Sequence, residues 1–177
     1  MMRKTLAALL MLLTTTLAYA FQEHGKENGT WSMFSSPAGR FQILVPAKPE
    51  ESTESANSSV GPYTVHLFTS KSENAIYIFG WTDYDPTFNF GVRAELNANR
   101  DNFLKGVSGK LLSESNITLD GNPGIEFTAE GPNAFFKSRV YIIGKRPFQL
   151  IVAVPTGRND DEGMKRFLAS FKLTPAR

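Results

Sequence analysis

Residues 117–173 read ITLDGNPGIEFTAEGPNAFFKSRVYIIGKRPFQLIVAVPTGRNDDEGMKRFLASFKL, and this stretch decides the fold class. Ile125, Phe127 and Ala129 alternate with Glu126, Thr128 and Glu130, the period-2 pattern of a strand with one dry and one wet face. Phe136, Val140 and Ile142 carry the alternation into a second strand, and Phe148, Leu150, Val152 and Val154 into a third. The three runs are expected to share one buried face. After Asn159 the period changes, and Met164, Phe167, Leu168 and Phe171 fall at helical spacing, a stripe that can lie on that sheet. A four-residue hairpin loop over 131–134 would set Glu126 opposite Arg139 and Thr128 opposite Lys137.

Upstream, residues 31–34, 35–39 and 40–45 predict strand, turn, strand, and the polar stretch 48–61 predicts a surface loop. Residues 63–70 and 75–84 predict a hairpin. With Ser70 opposite Ala75, His66 would face Phe79 and Phe68 would face Tyr77. His66, Phe68, Tyr77, Phe79 and Trp81 then share one face, and Val65, Leu67, Ile76 and Ile78 the other. Strands apolar on both faces are central strands with cover on both sides, which predicts helices on both faces of the sheet. Val92, Leu96, Phe103 and Val107 predict a helix over 92–105 that stops at Gly106. Residues 110–119 predict another strand, and 120–124 a turn.

The first twenty residues read as a cleaved signal peptide, with Arg3 and Lys4, an apolar run, and Ala18-Tyr19-Ala20 as a small-x-small cleavage site. The chain divides into this leader (1–20), a flexible mature N-terminus (21–30) and a single α+β domain (31–177). Of 19 basic and 17 acidic residues, removal of Arg3 and Lys4 leaves 17 of each. A near-neutral mature chain carries no electrostatic footprint for nucleic acid, and no membrane span remains once the leader is gone. Cysteine is absent, so neither disulfides nor an acylated cysteine can anchor or staple an exported chain. An ordinary core must hold it, and 14 phenylalanines supply much of one.

Chemistry-bearing motifs are few. Ser108-Gly109-Lys110 lacks the glycine that a phosphate loop places earlier, because position 104 is Leu. Asp83, Asp85, Thr87 and Asn89 alternate like the start of a calcium loop, yet Phe88 and Ala94 stand where Gly and Glu are needed. The two histidines are His24 and His66, and with no cysteine they make no zinc set, so no catalytic residue, metal ligand or cofactor is assigned. The face carrying His66, Tyr77 and Trp81 is the candidate contact site for a ligand or partner, because aromatics with polar tips are enriched at binding hot spots. Packing by the helix over 92–105, through Leu96 and Phe103, is the competing expectation for that face.

Phe34-x-x-x-x-Gly39-Arg40-Phe41, Asp120-Gly121-x-Pro123-Gly124 and Arg166-Phe167-Leu168-x-Ser170-Phe171 resemble small exported bacterial proteins of unknown function. Their order of elements is similar to that of the PsbP/Mog1-like domain, which implies an antiparallel sheet flanked by helices on both faces, an α/β/α sandwich. The resemblance transfers turn and core residues and no functional ones. It implies an accessory or binding role rather than an enzyme. Three functions follow as expectations: a periplasmic or secreted non-enzymatic domain that binds an unknown protein or small molecule; a carboxylate-based hydrolase or metal-dependent enzyme using His66; and an envelope structural or stress protein without a small ligand.

Overall fold

The structure, a computed structural model, describes residues 30–58 and 61–175. The expected leader (1–20) and mature N-terminus (21–30) lie outside the described residues, Thr30 excepted. The elements run β1 (Ser32–Ser36), β2 (Phe41–Val45), β3 (Glu50–Ser58), β4 (Gly61–Lys71), β5 (Ile76–Tyr84), α1 (Val92–Gly106), β6 (Lys110–Leu119), β7 (Asn122–Glu130), β8 (Ala134–Ile143), β9 (Arg146–Pro155), α2 (Asp161–Ser170) and β10 (Lys172–Leu173). Seven strands form one antiparallel sheet in the order β3-β4-β5-β9-β8-β7-β6. A second, three-stranded sheet has the order β1-β2-β10. Together with two helices they make a single α+β domain.

Side chains of β5 and β9 alternate between two separate cores. Tyr77, Phe79 and Trp81 cluster with Phe148, Leu150 and Val152, with Phe41 and Ile43 of β2, and with Met164, Phe167 and Leu168 of α2. Ile76 and Ile78 cluster instead with Ile151, with Phe127, Phe136 and Val140, and with Leu96 and Phe103 of α1. The expectation of one shared face for β7, β8 and β9 is therefore half right. Phe136 stands opposite Ala153, not Val152, so Phe148, Leu150 and Val152 point away from the face that Ile125 and Phe127 bury. Correspondingly, α2 packs with the Phe148 side of the sheet rather than the Ile125 side.

Two further expectations are corrected. Residues 50–58 form a strand, not a loop: β3 pairs with β4 from Glu50–Thr69 to Ser58–Gly61. It is an edge strand exposed along most of its length, so no apolar alternation marks it, and its three glutamates discourage further pairing. The β4–β5 hairpin is shifted by two residues, with Lys71 opposite Ile76, Phe68 opposite Phe79 and His66 opposite Trp81. The turn explains the shift, since Ser72 N donates to Ala75 O at 2.9 Å and Ser72 Oγ accepts from Ala75 N at 3.1 Å. A two-residue slip preserves side-chain parity, so the expected face survives.

Helix α1 runs on through Gly106 and ends in a Schellman arrangement, with Gly109 N donating to Leu104 O (2.8 Å) and Ser108 N to Lys105 O (3.3 Å). The left-handed position is Ser108, at φ 49°, and not a glycine. A Cβ there is strained, so Ser108→Gly is expected to raise stability by roughly 0.5–1 kcal/mol. Thermal melting followed by circular dichroism checks this, and a lowered midpoint would contradict it. Buried Glu95 ties α1 down, accepting from Tyr84 Oη at 2.6 Å and from Asn99 Nδ2 at 2.9 Å.

The β7–β8 register is as expected, with Glu126 opposite Arg139 and Thr128 opposite Lys137. Glu126 lies 2.7 Å from Arg139 Nε and 3.0 Å from Lys137 Nζ. Arg139 Nη1 also donates to Leu168 O at 2.8 Å, supplying a cation where the last carbonyls of α2 need donors. Burial works against the Glu126 charge, but the bonds from Arg139 and Lys137 hold its carboxyl below the usual value. A carboxyl depressed in the folded state adds stability above its unfolded pKa, near 4.3, and loses it as pH falls through the folded value. Glu126→Gln is therefore expected to be less stable than the parent at pH 7, and by a smaller margin at pH 3. Urea midpoints at the two pH values read the difference, and an equal gap at both would sink the claim.

Candidate contact site

His66 and Trp81 meet across the β4–β5 ladder, their rings stacked 4.3 Å apart and 16° from parallel. Because both are cross-strand partners in a central pair, the sheet itself sets this contact. Trp81 is 2% exposed, held against Phe41 (6.0 Å) and Phe148 (6.2 Å). Gly39, in the β1–β2 turn, sits directly on it: a Cβ at that position would stand 2.7 Å from the Trp81 ring and 2.5 Å from the Phe41 ring. The cover over Trp81 is thus the small sheet and not Leu96 and Phe103, which pack on the opposite side of β5.

Tyr77 lies on the same side of β5, in the same buried cluster, but with Phe79 between it and Trp81. It is 0% exposed, edge-on to Trp31 at 5.4 Å and to Phe167 at 5.1 Å. Its hydroxyl donates to Asp160, which also accepts from Ser72 Oγ at 3.2 Å. Burial, and then the bond to Asp160, push the Tyr77 hydroxyl pKa well above the ordinary range. Asp160 precedes α2 without capping it through its side chain; its carboxylate is committed to Tyr77 and Ser72. Tyr77 therefore joins β5 to α2 rather than facing solvent.

What reaches the surface is the rim beside Trp81. The indole Nε1 donates to Asp83 Oδ2 at 3.0 Å, and His66 Nε2 lies 3.3 Å from the same oxygen. Arg146 Nε approaches Asp83 Oδ1 at 2.6 Å, its Nη1 donates to Ala38 O at 3.1 Å, and its guanidinium carbon sits 6.0 Å from the indole centroid. On the outer side, Thr53 Oγ1 lies 3.4 Å from His66 Nδ1. A proton on Nε2 satisfies both neighbours, since Nε2 then donates to Asp83 and Nδ1 accepts from Thr53. With side chains about one-fifth to one-third exposed, His66, Asp83 and Arg146 form a fixed polar rim over a dry aromatic floor.

Arg146 and Thr53 were not candidates in the sequence, and Asp83 was weighed only as the start of a calcium loop. Asp83 had a signal, since it follows Trp81 by two residues on one strand and so shares its face. Arg146 reads as half of a turn pair and Thr53 falls in a stretch without periodicity. Among the described residues, no three His, Asp or Glu side chains converge as a metal site, and no helix is long and apolar enough to cross a membrane. A shallow cleft of about 310 Å³ lies between α2 and β8, lined by Lys137, Arg139, Met164, Lys165 and Leu168.

No family model matches this chain, and no curated protein matches its sequence. Among solved structures, the chain is similar to the solution structure of cyanobacterial PsbP (CyanoP) from Synechocystis sp. PCC 6803, with a TM-score of 0.54 and 9% identity. The match covers 84% of this chain and 95% of that one. The fold is PsbP-like, and at this identity the likeness reaches no further than the fold.

Proposed function

We propose that this chain is an exported, non-enzymatic binding or accessory domain that meets its partner through the rim of His66, Asp83 and Arg146. One observation carries the reading: three polar side chains are held in fixed geometry at the surface against a buried tryptophan. Preorganised rims of this kind lose little side-chain entropy on binding. In the same reading the domain is an α/β/α sandwich, with α1 and α2 on opposite faces of the large sheet, and Tyr77 and Trp81 serve as support beneath the contact surface. The separate clusters around Leu96 and Phe167 support that arrangement.

The test places a photo-crosslinking amino acid at position 66 or, as control, at exposed position 165, in cells that make the protein. A discrete adduct from position 66 that weakens in Asp83→Asn is the expected result. Equal labelling at both positions would contradict the assignment. The same material reads the export claim, because the mature N-terminus is expected near Phe21. The observation favouring a second reading, a hydrolase, is the chain of contacts from Thr53 through His66 to Asp83. That reading predicts ester turnover abolished by both Thr53→Val and His66→Ala.

A further inference from the structure

The two edges of the large sheet differ in a way that points to self-association. Among the described residues β3 and β6 are its outer strands, each with one backbone edge turned away from the sheet. β3 carries Glu50, Glu51 and Glu54 with no basic residue, so two copies laid edge to edge would bring six carboxylates together. β6 is exposed along most of its length and balanced in charge, with Lys110 and Glu114. It also holds two of the large exposed apolar side chains, Leu111 (37%) and Leu112 (49%).

We propose that β6 is a homodimer interface, on which a second copy of this chain pairs antiparallel about a two-fold axis at Ser115. That centre pairs each residue with the one equally far on its other side. Ser113 then meets the second copy's Ile117 and Glu114 meets Asn116, within the stretch that the bulge leaves regular. No like charges oppose over this centre, and by symmetry each Glu114 faces an uncharged Asn116. The register suits α1 as well. Asn116 accepts from Arg93 Nη2 at 2.8 Å, and Glu114 pairs with Arg100, so the second copy's Glu114 arrives beside an Asn116 already carrying a guanidinium. The β-bulge between Leu111 and Ser113 lies toward one end of the strand, leaving a regular ladder over the paired centre. Pairing of the two copies would extend two seven-stranded sheets into one of fourteen.

A single cysteine decides the matter, since the chain has none of its own. Residues at a two-fold of an antiparallel pair have Cα atoms about 4.5–5.5 Å apart, within disulfide range. Under mild oxidation Ser115→Cys is expected to form a covalent dimer, and Glu54→Cys on β3 to remain monomeric. Light scattering on the exported protein is expected to give twice the chain mass for the parent and one chain mass for Ser115→Lys, which sets two ammonium groups face to face. Ser115 is exposed, so the lysine variant keeps its fold, and its circular dichroism spectrum checks that. A monomeric parent at about 100 µM, or equal crosslinking of the two cysteine variants, would overturn the proposal. A parent that dimerises equally well with Ser115→Lys would place the interface elsewhere and overturn it too.

Discussion

Phe167→Ala is expected to lose about 3–5 kcal/mol of stability, the cost of a buried Phe truncation that leaves a cavity. Phe167 is 0% exposed and lies 5.1 Å from Tyr77 and 5.7 Å from Phe79. It is the main apolar contact between α2 and the ring row of β5, and the gap cannot close cheaply. The strands beneath are fixed by ladders on both sides, and Arg139 and Asp160 pin the two ends of the helix. Lys165→Ala removes a side chain 74% exposed, whose partner Glu162 is more exposed still, and is expected to change stability by less than about 0.5 kcal/mol. Chemical denaturation of the two variants gives the comparison. Equal midpoints would mean that α2 does not dock by this face.

Trp81→Ala is expected to cost a similar 3–5 kcal/mol and to act on the rim at the same time. The indole fills the space between Phe41 and Phe148, backs the His66 ring, and donates to Asp83. Its removal leaves His66 without a stacking surface and Asp83 without one donor. His66→Ala, by contrast, takes away a part-exposed ring from the rim and leaves the core closed, so it is expected to fold close to normally. A Trp81→Ala variant as stable as His66→Ala would show that the small sheet does not rest on this ring.

Period-2 alternation carried most of the architecture. Ile125, Phe127 and Ala129 announced β7, and the four-residue loop over 131–134 fixed the pairing of Glu126 with Arg139. The failures share a cause, which is that periodicity reports burial rather than pairing. β3 is paired along its length yet dry on neither face, so nothing in its side chains distinguished it from a loop. In β9 the opposite problem arises. Phe148, Leu150 and Val152 face one core while Ile151 and Ala153 face the other, and Gln149 made only the first set look buried. That glutamine is itself 5% exposed and donates to Ser138 Oγ at 3.3 Å, so two polar side chains partner each other inside a dry face. The parity of His66 with Trp81 was legible despite a wrong register, because a slip of two residues cannot change faces. The burial of Trp81 was not legible, since the turn that covers it lies far away in sequence and depends on Gly39 fitting against the indole.

The contact surface proposed for this domain requires a polar rim over a tryptophan that water cannot reach. Acrylamide quenching of Trp81, read in a Trp31→Phe background so that a single indole reports, measures that directly. Trp81 is expected to be quenched several-fold less than free indole, and equally little in a His66→Ala variant, because the small sheet and not the imidazole shields it. Quenching as strong as that of an exposed tryptophan would contradict the buried floor, and with it the placement of the contact surface at His66, Asp83 and Arg146.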